Sequence, residues 1–195
     1  VRKRGCYSDE HLKNQLAADP TLANRMEEFE LKAAEAIAHS RIVNGVIEIP
    51  VVVNVLYRTT AENISLAQIQ SQIAVLNKDF NATNSDYNTA NNPYSSVRAN
   101  VGIRFVLDQV IRKSTTKTSW GTNDAMKKSA SGGMAAVTPT TKLNLWVCTI
   151  GGGILGYAQF PGGASATDGV VIDSKYLGTT GTATYPFNLG RTATH

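Results

Sequence analysis

The sequence of 195 residues has the length of one ordinary domain, or of one domain with a short appendage. Its hydrophobic fraction of 42% and charged fraction of 17% are typical of a globular protein with a core and exclude a disordered chain. The net charge of +4 is scattered, apart from Arg2-Lys3-Arg4 and Lys127-Lys128, and no aromatic residues alternate with the basic ones. This pattern favours a mildly basic, solvated surface over a nucleic-acid interface.

We expect no targeting or membrane segment within these residues. No apolar run approaches the roughly 20 residues that span a bilayer, so we expect no membrane partner. The N-terminus is basic but no apolar stretch follows it, which predicts that no signal peptide is present. A trimmed secreted protein begins in the same way, so this start does not argue for the cytoplasm.

Residues 8 to 39 are predicted to form two helices. Ser8 is expected to be the N-cap of the first, with acidic residues in the first turn, and Pro20 ends it near Ala18. In the second helix, apolar residues recur at spacings of three and four, which predicts one stripe that packs on another part of the protein. These residues are Leu22, Met26, Phe29, Ala33 and Ile37.

Five strands and one long helix are predicted after residue 41. Runs of β-branched or alternating apolar residues predict the strands, over residues 46–57, 102–111, 143–148, 155–160 and 169–172. Pro50 lacks a donor and is expected at a sheet edge or at the beginning of its strand. Ser65 caps a helix with an apolar face (Leu66, Ile69, Ile73, Leu76, Phe80) and a polar face (Gln70, Gln72, Lys78). Strand, helix and strand in succession predict a helix laid across a sheet.

Residues of chemical interest are few. The three histidines (His11, His39, His195) have no metal-ligand spacing among themselves, and neither a Gly-x-Ser-x-Gly motif nor a phosphate loop is present. Asp168 and Asp173 flank the last strand, where a carboxylate usually forms a turn. Cys6 and Cys148 could pair, but polar surroundings for one and apolar surroundings for the other favour two independent thiols. Local chemistry alone therefore identifies no active site.

A series of motifs nevertheless resembles the opening of the pappalysin family of zinc metalloproteases, in the metzincin clan. They begin with Ile49-Pro50-Val51-Val52-Val53 and Gln72-Ile73-x-Val75-Leu76-Asn77-x-Asp79-Phe80, and continue with Leu143-Asn144-Leu145-Trp146-Val147, Leu155-Gly156-Tyr157-Ala158-Gln159-Phe160-Pro161-Gly162 and Thr167-Asp168-Gly169-Val170-Val171. The last is Asn188-x-Gly190-Arg191-Thr192-Ala193-Thr194-His195. The resemblance runs in order from about Ile49 to the end of the chain.

The resemblance implies a zinc site that begins at His195. In the family, this segment leads into His-Glu-x-x-His-x-x-Gly-x-x-His, which places two imidazoles on one helix face and a general-base Glu between them. By this resemblance His195 is the first metal ligand, and the catalytic Glu and two further histidines follow it. These 195 residues alone are therefore expected to be inactive, and a calcium site in the remaining half is left open.

The resemblance also gives roles to three other regions. Gly156, Tyr157, Ala158, Gln159 and Phe160 match the edge strand that pairs antiparallel with the substrate backbone. Arg4-Gly5-Cys6 is similar to the element whose thiolate holds the zinc of a latent proform, although Tyr7-Ser8 stands where the family has Gly-Thr. Arg41, at the change in composition, is the expected processing site.

By this resemblance, the sequence as a whole is expected to be a latent secreted zinc endopeptidase acting on proteins or peptides. Residues 1–42 are the expected helical prosegment, which acts as an intramolecular inhibitor. Residues 43–195 are the expected upper catalytic subdomain, an α/β (α+β) unit with a twisted, mixed five-stranded sheet and a backing helix. The alternative is a secreted protein-binding module without catalysis, in which the edge strand is exposed to a partner.

Overall fold

The computed structural model describes residues 6–39, 46–87 and 93–195. Residues 6–39 are called the N-terminal segment below, and the described residues from 46 onward are called the sheet unit. Arg41, the expected processing site, lies outside the described residues. The elements in chain order are α1 (Ser8–Ala18), α2 (Leu22–His39), β1 (Ile47–Tyr57), α3 (Leu66–Phe80), β2 (Ile103–Ser114), β3 (Leu143–Cys148), β4 (Gly156–Ala158), β5 (Val170–Asp173) and α4 (Arg191–Thr194).

The five strands form one mixed sheet in the order β2-β1-β3-β5-β4. All neighbouring strands run parallel except β4, which pairs antiparallel with β5 and occupies one edge. This arrangement confirms the predicted mixed sheet. Pro50 is paired with β2, but pairing of β1 with β3 begins only at Val51, so the proline lies before that second ladder.

Apolar residues fill both faces of the sheet, because side chains alternate between the faces along each strand. Leu145 and Val147 face α3 and lie in one apolar cluster with Ile69 and Leu76 of that helix. The intervening Trp146 faces a second cluster on the opposite side, beneath the irregular segment of residues 115–142. The members of that cluster are Leu56, Trp120, Met126, Met134, Trp146, Cys148, Ile150, Tyr157 and Val171.

Helix α3 begins as the sequence predicts, because the Ser65 side chain accepts a hydrogen bond of 3.1 Å from the Gln68 backbone N–H. Its predicted faces are partly wrong. Leu66 is 49% exposed, whereas Gln72, placed on the polar face, is buried. The amide of Gln72 is buried because it finds backbone partners in the loops that follow β5.

The N-terminal segment is two helices, as predicted, with one correction at its start. Ser8 is the first residue of α1, and Tyr7 is the cap residue, without a capping side-chain bond. The Ser8 hydroxyl instead accepts a 3.0 Å hydrogen bond from the Ala158 N–H of β4. A contact with the sheet edge has therefore replaced the expected local cap. No helix in the described ranges is long and apolar enough to cross a membrane.

Candidate metal and substrate site

A cavity of about 450 Å³ lies beside the β4 edge of the sheet. Strands β4 and β5 form one wall, the loop around Phe187 and Leu189 a second, and α4 a third. Cys6, at the start of the N-terminal segment, and His195, at the end of α4, both line this cavity. The two residues are far apart in the sequence, and the fold brings them to one place.

The N-terminal segment occupies the free edge of β4. Cys6 forms a parallel bridge with Gly156, and the Tyr7 N–H donates to the Gly156 carbonyl at 3.2 Å. The Ala158 N–H donates to Ser8, whose hydroxyl oxygen also accepts a 3.3 Å bond from the Cys6 thiol. Two residues of β4 are thus hydrogen-bonded to the segment that carries the candidate zinc-binding cysteine.

The five predicted substrate-binding residues divide into two groups. Gly156, Tyr157 and Ala158 form β4, and a Cβ atom at Gly156 would lie 2.6 Å from the Val171 carbonyl oxygen, so the close approach of β4 to β5 requires glycine. Gln159 and Phe160 lie beyond the strand. The Gln159 side chain is buried and bonds to Gln15, Ala164 and Thr167, whereas Phe160 is 37% exposed.

Gly190 and Gln72 position the beginning of α4. Gly190 precedes the helix with a φ of 72°, and a Cβ atom there would lie 2.8 Å from the Val75 side chain. The Gln72 amide donates 2.8 Å to the Gly190 carbonyl and accepts 2.8 Å from the Gly178 N–H. Two loops are therefore tied to α3 through one buried glutamine.

Charged groups hold the same short helix from the side. Asp79 of α3 accepts a 2.7 Å hydrogen bond from Thr194 and forms a 3.1 Å ion pair with Arg191. Arg191 also contacts Asp86 at 2.8 Å, which lowers the pKa of Asp86 to about 2. His195 directly follows Thr194. The contacts of Asp79 therefore fix the backbone immediately before His195, the candidate metal ligand.

A buried polar cluster joins α1 to the sheet unit. His11 Nε2 lies 3.3 Å from the carboxylate of Asp124, and that carboxylate also contacts Lys127 at 2.9 Å and accepts 3.0 Å from the Tyr157 hydroxyl. Lys127 was expected on a solvated surface, and this expectation is wrong, because its side chain is 0% exposed. Its ammonium is satisfied by Asp124 and by the Thr167 carbonyl at 2.7 Å.

The charges in this cluster influence one another. Burial alone would raise the pKa of Asp124, but the His11 and Lys127 side chains hold it below its usual value. Burial lowers the pKa of Lys127 and, together with Asp124, raises that of Tyr157. The cluster is therefore a charged structure inside the protein, between the N-terminal segment and the edge strand.

The remaining candidate residues of the sequence lie away from the cavity or form turns. Cys148 is a free, buried thiol whose pKa is raised by burial, and Cys6 is a free, exposed thiol, as expected for two independent cysteines. Asp173 accepts hydrogen bonds from the N–H groups of Ile150 and Lys175, which fits the turn role expected of it. Burial raises the pKa of Asp173.

The local pattern missed His11, Gln68, Gln72 and Asp79. Gln68 is buried like Gln72, and its amide donates to the carbonyls of Ser174 and Leu177. Periodicity assigns a polar side chain to solvent, and the partners here lie about a hundred residues further along the chain. Only the family resemblance pointed to Gln72 and Asp79, since both belong to the motif that runs from Gln72 to Phe80.

Two residue types at the cavity, a cysteine and a histidine, are ones that zinc prefers as ligands. A thiolate and an imidazole are preferred zinc ligands, and both Cys6 and His195 are exposed at the cavity. Within the described ranges, no group of three His, Cys, Asp or Glu side chains converges as a metal site. The two residues could therefore supply part of a zinc site.

The fold is similar to solved structures of mirolysin. A Tannerella forsythia promirolysin mutant is 37% identical with a TM-score of 0.84, over 98% of this chain and 66% of that one. T. forsythia mature mirolysin with a cleaved peptide, and mirolysin with a compound, are each 41% identical with a TM-score of 0.73, over 77% of this chain and 61% of theirs. The chain thus spans less than two thirds of the length of these proteins. No protein-family model and no curated protein matches the sequence.

Proposed function

Because this chain belongs to the pappalysin-family metzincin proteases, we propose that it forms the latent part of a zinc-dependent endopeptidase that hydrolyses peptide bonds. One observation carries the proposal: the N-terminal segment lies along β4 and brings Cys6 to the cavity that His195 lines. In the complete protein, His195 is the first metal ligand, and a general-base Glu and two further histidines follow it.

Cys6 and His195 are the residues of this chain that would hold the zinc. When bound, zinc polarises a substrate carbonyl and lowers the pKa of water, which is the chemistry that peptide hydrolysis needs. The short helix α4 orients His195, and Asp79 and Gln72 fix that helix on α3. A thiolate from Cys6 would fill the position that water or substrate needs, and so keep the site latent.

The direction of the N-terminal segment supports its role as an inhibitor. Cys6 and Gly156 pair in parallel, whereas a substrate is expected to pair antiparallel with this strand. The segment therefore covers the strand edge with its peptide bonds reversed relative to a substrate. Removal of the segment would free the N–H and C=O groups of β4 for an extended peptide.

The lengths of the structural matches support residues 1–42 as the prosegment and 43–195 as the upper catalytic subdomain. The promirolysin match covers 98% of the chain and the mature-form match covers 77%. The difference is about a fifth of the chain, which is the length of the proposed prosegment. Processing at Arg41 and secretion are further parts of the proposal, and both rest on the family resemblance.

The experiment is metal analysis and peptidase assay of the full-length gene product, before and after cleavage near Arg41. We expect one zinc per molecule, and a strong rise in hydrolysis of an unfolded protein substrate upon cleavage. Cys6→Ala should raise the activity of the uncleaved protein, whereas the matched Cys148→Ala variant should stay latent. His195→Ala should remove both zinc and activity.

Two results would overturn the proposal. A gene in which Glu-x-x-His does not follow the codon of His195 would exclude the zinc-binding motif. A full-length product without zinc or peptidase activity, whose β4 edge nevertheless captures extended peptides after cleavage, would instead identify a non-catalytic protein-binding module.

A further inference from the structure

His11 is a buried ionisable residue of the N-terminal segment that the proposed zinc site does not use. It projects from α1 into the sheet unit and is 4% exposed. Its ring lies 4.8 Å from the ring of Tyr157, centre to centre, so it packs against the proposed substrate strand. His11 therefore crosses the boundary between the proposed inhibitor and the proposed enzyme.

Both ring nitrogens of His11 face hydrogen-bond acceptors. Nδ1 is 3.2 Å from the Thr122 carbonyl oxygen, and Nε2 is 3.3 Å from a carboxylate oxygen of Asp124. The ring of His11 is thus enclosed between a backbone carbonyl and a carboxylate of the sheet unit.

The charges around His11 come from both sides of the contact. Asp124 is held negative in part by Lys127, which contacts the carboxylate oxygen that His11 does not face. The Tyr157 hydroxyl donates to that same second oxygen. On α1, Glu10 and Lys13 pair with each other at 2.8 Å on the exposed surface. His11 and Lys127 thus contact the two oxygens of one carboxylate.

We propose that Thr122, Asp124 and Tyr157 form an anchor site for the ring of His11, which fastens the N-terminal segment to the sheet unit at a buried point away from Cys6. The inference rests on the proposed function, in which this segment is the inhibitory prosegment. It adds that latency depends on a buried contact away from the zinc.

The anchor sets how often α1 opens. Loss of the contacts that His11 makes with Thr122 and Asp124 would weaken docking of the helix. Opening of α1 also loosens Ser8 on β4, and the edge strand becomes accessible.

Hydrogen exchange of the α1 amides in the intact full-length proform tests the anchor. After correction for intrinsic rates, His11→Gln, which keeps a polar side chain without the ring, should raise exchange of the α1 amides by roughly tenfold or more, since the contact with the Asp124 carboxylate is lost. His11→Ala should do the same.

Lys13→Gln is the matched control, because Lys13 is an exposed cation on the same helix and should leave exchange unchanged. An α1 that exchanges as slowly in His11→Ala as in the wild type overturns the proposal. Zinc content and peptidase activity of the same preparations test the proposed function separately. If both are absent, that function fails, while exchange of α1 still decides the anchor.

Discussion

The sheet unit and the N-terminal segment differ in what they bury. In the sheet unit, two apolar clusters cover both faces of the sheet, and Trp146 and Ile172 are 1% exposed or less. In the N-terminal segment, the side chains described from Cys6 to Ala33 include two that are buried, His11 and Leu22. The contacts of that segment with the sheet unit include hydrogen bonds and an ion pair, and the Tyr7 ring packs against Tyr157.

This difference separates a unit with its own core from a segment that is attached to it. A domain with its own hydrophobic core can fold independently, whereas two helices with little buried apolar surface depend on the surface that they dock against. Discrete polar contacts can also be broken one at a time. These are suitable properties for a prosegment that is removed without unfolding the enzyme, and they can be tested by matched substitutions.

The largest effect is expected from truncation of a core leucine. Leu145→Ala leaves a cavity in the sheet and should lower the free energy of unfolding by about 2–5 kcal/mol. The same substitution at Leu31 of α2, which is 62% exposed, should change it by less than about 0.5 kcal/mol. Denaturant unfolding of the two variants measures both values, and equal effects would show that α2 carries a core of its own.

Gln72→Ala should have the next largest effect, although it removes no apolar contact. The substitution leaves the Gly190 carbonyl and the Gly178 N–H without their glutamine partner, at a cost of about 2–4 kcal/mol. Gln70→Ala on the exposed side of the same helix is the control and should be nearly neutral. A Gln72 variant as stable as the Gln70 variant would mean that these backbone groups find other partners.

Gln72 also illustrates what the sequence can and cannot predict. The start of α3 at Ser65 and the whole of β3 were predicted correctly, because caps and apolar periodicity are local properties. The burial of Gln72 and Lys127 was not predicted, because each depends on partners that only the folded chain brings near. A local pattern assigns such polar side chains to solvent.

The same limit applies to the candidate site. Histidine and cysteine spacing within the chain gave no metal site, and resemblance alone selected Cys6 and His195. The structure adds that both residues line one cavity and that Cys6 pairs with β4. Nothing in the sequence around His11 or around Asp124 predicts their contact. Its prediction would have required the docking geometry of α1.

Asp79→Asn tests the link between the stable unit and His195. The amide keeps the size of the carboxylate but loses the charge that faces Arg191, so we expect about 1–2 kcal/mol lower stability. In the full-length proform, zinc content should also fall, because the neutral amide holds Arg191 and Thr194 less firmly beside the first ligand. Asp108→Asn, in a more exposed pair with Lys142, is the control and should keep full zinc content.

Ser8→Ala examines the attachment of the N-terminal segment and should cost about 1 kcal/mol of docking. The Ala158 N–H loses its acceptor, but the edge of the sheet is partly open to water, which can replace the hydroxyl. Exchange of the Ala158 amide in the proform should therefore rise several-fold, while the amides of β3 stay protected. Faster exchange throughout the sheet would contradict the separation of the two regions.

The smallest effect is expected at Asp86, where stability should depend on pH. Hydrogen bonds from Arg191 and Asn84 lower the pKa of Asp86 to about 2 from an unfolded value near 4. A lowered pKa stabilises the folded state above pH 4, and this contribution disappears as the pH falls toward 2. Because both side chains of the ion pair are substantially exposed, Asp86→Asn should cost less than about 1 kcal/mol at pH 7, and less still in high salt. Unfolding measured from pH 5 to 2.5 should show the variant and the wild type converging. A difference that persists at the lowest pH would mean that Asp86 acts through its shape and hydrogen bonds, and that its charge contributes nothing to the entry of α4.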